Sequence, residues 1–172
     1  MAFLDAYARL LSDRGTRRSG ATEAEISALR ARHGDLPEAI LAMLRVQNGE
    51  DPMLTFQKGY RFVGATELRE EMDGLREMVE VDETLPPAFL DFVPFLHCEV
   101  KSDVGVFRPS SGQAALGVIE YHYETGEFVR WSSSIEDFIE SLAAAKEPFN
   151  RLGTLFPMSG LDAVDCYAHP WA

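Results

Sequence analysis

Residues 22–52 read TEAEISALRARHGDLPEAILAMLRVQNGEDP and carry two helical patterns back to back. Thr22 and Glu25 form a T-x-x-E capping box, in which hydroxyl and carboxylate each satisfy the other residue's backbone N–H. Ile26 and Leu29 supply an apolar face. Gly34 can take the positive φ of a helix end. Pro37 suits a helix's first turn, where a missing N–H costs nothing. Ile40, Leu41 and Leu44 line one side of the next helix. Asn48-Gly49 is expected to stop it, because both residues tolerate the left-handed conformation. The spacing predicts an αα-hairpin with a Gly34-Asp35-Leu36-Pro37 corner.

Around this pair the periods alternate. On the N-terminal side, Phe3, Leu4, Tyr7, Leu10 and Leu11 fall on one helical stripe. Residues 14–20, with two glycines and three arginines, read as a flexible linker. On the C-terminal side, Leu54 and Phe56, then Tyr60 and Phe62, alternate with polar residues around Gln57-Lys58-Gly59, a short strand pair. Thr66 is expected to cap a helix reaching about Val79, with Leu68, Met72, Leu75 and Val79 inward. Residues 67–83 hold eight Asp/Glu against Arg69 and Arg76. Pro94 points to an edge strand over 93–98. Residues 104–107, 115–122 and 127–131 read as further strands, with a hairpin turn at 124–127. Ser132-Ser133-Ser134 caps a helix carrying Ile135, Phe138, Ile139 and Leu142. The last stretch, 147–172, is too apolar for a free tail and reads as an extended segment packed on the body.

These elements amount to one α+β domain, a twisted and mostly antiparallel sheet flanked by helices. Its core spans about 22–145. A helix and linker precede it at 1–20, and a packed extension follows at 147–172. The 172 residues hold 46% hydrophobic side chains, enough for one core. No apolar run approaches a membrane span. The start lacks the basic and apolar regions of a signal peptide, and two cysteines cannot make a disulfide scaffold, so a cytoplasmic compartment is expected.

The net charge is −12 and uneven: the first 61 residues carry +1 and the remainder −13. An exterior of that sign repels phosphate backbones and steers a basic protein instead. Glu50, Asp51, Glu99, Asp103, Glu124 and Glu127 are the candidate partner contacts, chosen for expected exposure. No nucleotide-binding loop, nucleophile elbow or H-E-x-x-H motif occurs. Glu120 and His122 share a strand face and form an acid–base candidate, better explained as a cross-strand pair on a solvated face with Tyr121 turned to the core. His97, Cys98, Cys166 and His169 resemble a metal set, but adjacent residues on a strand point to opposite faces. No catalytic residue, metal or cofactor is expected.

The order of signals resembles the SUKH superfamily, which includes the yeast cell-wall-assembly regulators and many bacterial immunity proteins. The matching residues are the helix Glu25 to His33, the Gly34-x-Leu36-Pro37 corner, and Leu44 leading to Asn48-Gly49. Farther on come Tyr60-Arg61-Phe62, Val93-Pro94-Phe95 and Ser134-Ile135-Glu136-Asp137-Phe138-Ile139. The similarity covers about residues 22–145. Many members carry an Asp-rich strand after the (I/V)-P-F strand; here only Glu99 and Asp103 stand there, so no site built on those aspartates carries over. The resemblance implies an α+β fold without known catalysis. It implies an immunity protein that binds and blocks a toxin domain, frequently a nuclease. A regulatory scaffold of the same fold is the alternative and an enzyme of unrecognised type the third reading. A homodimer stays open.

Overall fold

The structure, a computed structural model, describes residues 2–15, 18–52, 59–81, 87–98, 102–122, 128–144 and the backbone of 165–167. Among the described residues the α-helices are α1 (Ala2–Asp13), α2 (Glu23–His33), α3 (Glu38–Val46), α4 (Ala65–Val81) and α5 (Ile135–Ala144). Its strands are β1 (Arg61–Phe62), β2 (Phe92–Cys98), β3 (Ser102–Phe107), β4 (Val118–His122), β5 (Phe128–Ser132) and β6 (Asp165–Tyr167). They form one antiparallel sheet in chain order. This is the expected α+β architecture. No described helix is long and apolar enough to cross a membrane.

The capping box at Thr22 and Glu25 is formed in both directions. Gly34 follows α2 with φ 78°, and its N–H reaches the Arg30 carbonyl at 2.8 Å. The two helices do not close into a hairpin, however. α2 packs on α4, whereas α3 packs on α1 and α5. The reason lies in where each apolar face points: Ile26 and Leu29 meet the helix that follows the first strand, and Ile40, Leu41 and Leu44 meet the N- and C-terminal helices.

Residues 18–20, expected to be part of a flexible linker, run with Ala21 beside the end of α3. Ala21 N–H donates to the Leu44 carbonyl (2.8 Å), and Asn48 N–H donates to the Ser19 carbonyl (3.0 Å). Gly20 permits this approach, since a Cβ there would overlap the carbonyl of Arg45. Thr16 and Arg17 lie outside the described residues.

The Asn48-Gly49 step works differently from expectation. Gln47 ends α3 in an extended conformation, no described residue other than glycine has positive φ, and of this pair Gly49 alone takes it, at 67°. A Cβ on Gly49 would collide with the backbone of Gly64. The two segments touch because Asn48 Oδ1 accepts from Ala65 N–H at 2.7 Å. Asn48 therefore caps α4 across the fold, with Glu67 Oε2 accepting from Gly64 N–H at 3.0 Å. Thr66 is exposed and does not provide the expected cap. The cap expected for the last helix holds: Ser134 Oγ, at the N-terminus of α5, accepts from Asp137 N–H at 3.1 Å.

Helices cover both faces of the sheet. On one face Leu96, Cys98, Val104, Val106, Val118 and Trp131 join α1, α3 and α5 in the larger core. On the other, Phe92, Phe107, Ile119, Tyr121 and Phe128 pack with Phe89 and with Leu75 of α4. Phe89 meets Tyr121 edge-on at 4.6 Å and stacks on Phe92 at 5.2 Å, arrangements that suit the aromatic quadrupole. β2 is not an edge strand, as β1 and β3 flank it. Pro94 is accommodated by a register shift between Pro94 and Leu96, the bulge position proline tolerates. The expected strand and turn at 54–58, and the hairpin turn at 124–127, lie outside the described residues. Of the C-terminal segment, Asp165–Tyr167 add a strand to β5 that the sequence did not suggest.

Candidate functional site

The six candidate contacts part company in the structure. Glu50 and Asp103 are buried, each 0% exposed. Asp51 is half-buried. Glu99, Glu124 and Glu127 lie outside the described residues. Exposure was the reason for choosing Glu50 and Asp103, and it fails for a clear cause: each meets charged or donor groups that sequence distance concealed.

Glu50 sits under the end of α1. Its Oε1 accepts from Arg14 Nε at 2.7 Å and its Oε2 from Phe62 N–H at 2.9 Å. Arg14 also donates to the Tyr60 carbonyl, and Arg18 donates to the Glu50 carbonyl at 3.3 Å. Two arginines read as linker residues thus tie α1 and the segment after it to β1. A buried carboxylate held in this way is a structural ion pair, since both charges lose water and recover it from each other and from backbone donors.

Glu120 is the second buried carboxylate, 2% exposed. The expected solvated face is the one that α1, α3 and α5 cover, and so Glu120 lies inside. Its Oε1 accepts from Ser102 Oγ at 2.6 Å and from the Tyr60 hydroxyl, and its Oε2 from Trp131 Nε1 at 2.9 Å. His122 Nε2 stands 3.6 Å from Oε1. Burial opposes the charge, but His122, Ser102 and Tyr60 outweigh it and hold Glu120 below the usual carboxylate range. The Tyr60 phenol is driven up by burial and by the Glu120 charge, so it remains a donor. Tyr121 faces the aromatic core, as expected.

A third group lies on the opposite sheet face, beneath the first half of α4. Arg61, His97 and Asp103 sit side by side across β1, β2 and β3. His97 Nδ1 is 2.7 Å from Asp103 Oδ1 and 3.7 Å from Glu71 Oε1. Arg61 Nη1 donates to Glu67 Oε1 at 2.7 Å. Burial works against charge on His97, but Asp103 and then Glu71 prevail and hold the imidazole above its ordinary range. Burial, with Asp103 adding to it, raises the Glu71 carboxyl, and the His97 charge works the other way. Sequence reasoning missed this group because Glu71 read as one member of an acidic helical run. The alternation that assigned His97 and Cys98 to opposite faces is present: Cys98 is in the larger core. Cys166 belongs to β6, and His169 lies outside the described residues.

Exposed carboxylates occur on several elements, among them Glu136, Asp137 and Glu140 of α5, and three stand on α4. Glu70, Glu77 and Glu80 are exposed on it, with Arg69 and Arg76 the basic residues of the same helix. Met78 and Val81 are exposed there too, Val81 at 85%. Between α2 and the start of α4 runs a shallow groove lined by Glu25, Ala28, Leu29, Ala65, Thr66 and Arg69. No protein-family model matches the chain, and no curated protein sequence matches it significantly.

Proposed function

We propose that the chain is a non-catalytic protein-binding module whose acidic exterior docks a basic protein. Its partner, in this reading, is a toxin domain that the module covers and blocks, as bacterial immunity proteins do. The observation that carries the reading is the division of carboxylates. Glu50, Asp103 and Glu120 are consumed by internal partners, while Glu70, Glu77 and Glu80 line an outward helix face that also presents Met78 and Val81. Such a face steers a cationic partner by charge and offers apolar contact for the docked state. The contact surface moves accordingly from Glu50 and Asp103 to the outer side of α4, with Asp51, Glu99, Glu124 and Glu127 still candidates.

Co-expression with the product of the adjacent gene tests it. Protection from toxicity and a stable complex are expected. The triple variant Glu70→Lys/Glu77→Lys/Glu80→Lys should fold, since these side chains are exposed, and should slow association about tenfold or more at low salt. Full binding by that variant, or no protection by the parent chain, counts against the reading. Binding to several endogenous proteins without protection would point to a regulatory scaffold instead.

A further inference from the structure

Glu71 of α4, His97 of β2 and Asp103 of β3 bring one imidazole and two carboxylates to a single point between helix and sheet. One ligand atom from each lies within 4.8 Å of the others. Donor atoms around a small transition-metal ion lie about 2.0–2.2 Å from it, and so roughly 3–3.5 Å apart. The observed 2.7 and 3.7 Å separations bracket that range. The setting favours a cation for a second reason. Among the described residues, the three carboxylates Glu67, Glu71 and Asp103 gather around two cationic side chains, Arg61, engaged by Glu67 at 2.7 Å, and His97, engaged by Asp103 at 2.7 Å. Asp103, the innermost of the three, has a side chain only 1% exposed. Glu71 and His97 keep partial exposure, which leaves a route from solvent.

We propose that Glu71, His97 and Asp103 bind a divalent transition-metal ion of the zinc class, fastening α4 to β2 and β3. The mixed nitrogen and oxygen set suits zinc or cobalt better than calcium, which takes oxygen ligands almost alone. Three protein ligands leave a position for water. The site is independent of the acidic outer face of α4 and of what docks there.

The full chain, stripped with chelator and titrated with zinc chloride by calorimetry, is expected to bind one equivalent and to melt at a higher temperature. Cobalt chloride should give a saturable visible absorption band. Glu71→Gln, at a half-exposed position, should weaken binding by at least about tenfold, the loss typical even for groups that only support a ligand. His97→Gln should do the same and serves as the second variant. Glu70→Gln, exposed on the same helix, should bind as the parent does. Undiminished binding in Glu71→Gln and His97→Gln would overturn the site. So would loss of the equivalent in Cys166→Ser/His169→Ala, or no saturation by either ion up to about 1 mM, where affinity is negligible for a built site.

Discussion

Glu120 shows how one side chain can organise a core. Its carboxylate gathers Ser102 from β3, Trp131 from β5 and the Tyr60 hydroxyl from the start of β1. Glu120→Ala would remove the acceptor shared by Trp131 and the two hydroxyls, which would keep each other at 2.7 Å, and a cost of about 3–5 kcal/mol is expected by urea unfolding. Glu120→Gln retains one carbonyl oxygen and should cost less, about 1–3 kcal/mol. The pH response has a defined sign. A carboxyl held lower in the folded chain than in the unfolded one stabilises above its unfolded pKa, and that stability fades as pH falls through the folded value. The parent should therefore lose stability on acidification more steeply than Glu120→Gln. None of this was legible in the sequence. Alternation put Glu120 and His122 together on one face, and this was correct, but nothing local said that three helices would cover that face.

At the scale of elements the sequence was more informative. The stripes at Phe3, Tyr7, Leu10 and Leu11, and at Leu68, Met72 and Leu75, fixed α1 and α4 because a repeat of three to four residues needs only local information. Strands expected at 93–98 and 127–131 from apolar runs and β-branched or aromatic content stand at Phe92–Cys98 and Phe128–Ser132. Caps were half legible. Thr22 with Glu25 lies within one turn, whereas α4 takes its cap from Asn48, beyond the reach of any local pattern. Asn48 Nδ2 also donates to Glu25 Oε1 at 3.2 Å, so one amide joins the starts of α2 and α4. Asn48→Ala should destabilise by about 1–2 kcal/mol, the usual size of a lost cap. Hydrogen exchange should show the excess opening in the first turn of α4.

For the molecule as a whole, charge is sorted by depth, and His33 exposes what that sorting costs in acid. It is buried at the end of α2 with neither ring nitrogen hydrogen-bonded. Burial lowers its pKa; Asp73, 3.9 Å away, opposes that, and Arg108, Arg32 and Arg76 reinforce it. The unfolded chain then binds the proton first. Stability contributed by neutral His33 is complete above the unfolded pKa near 6.5 and is lost as pH falls below it. His33→Phe should flatten the decline in thermal midpoint between about pH 6.5 and 5, a window set by the ordinary histidine value. A decline identical to the parent's would assign it to other groups. Net charge was readable from composition, but its division between interior pairs and outer helix was not, because burial depends on which helix covers which strand.

The three-residue β6 has a practical bearing on how this chain may be cut. It pairs Tyr167, Cys166 and Asp165 with Phe128, Val129 and Arg130. Ending the chain after Ala144 would strip that cover and leave β5's outward amides and carbonyls as a template for a neighbour's strand. Light scattering should then report concentration-dependent self-association that the intact chain lacks, and a proline at Val129 in the shortened form should suppress it by blocking the new ladder.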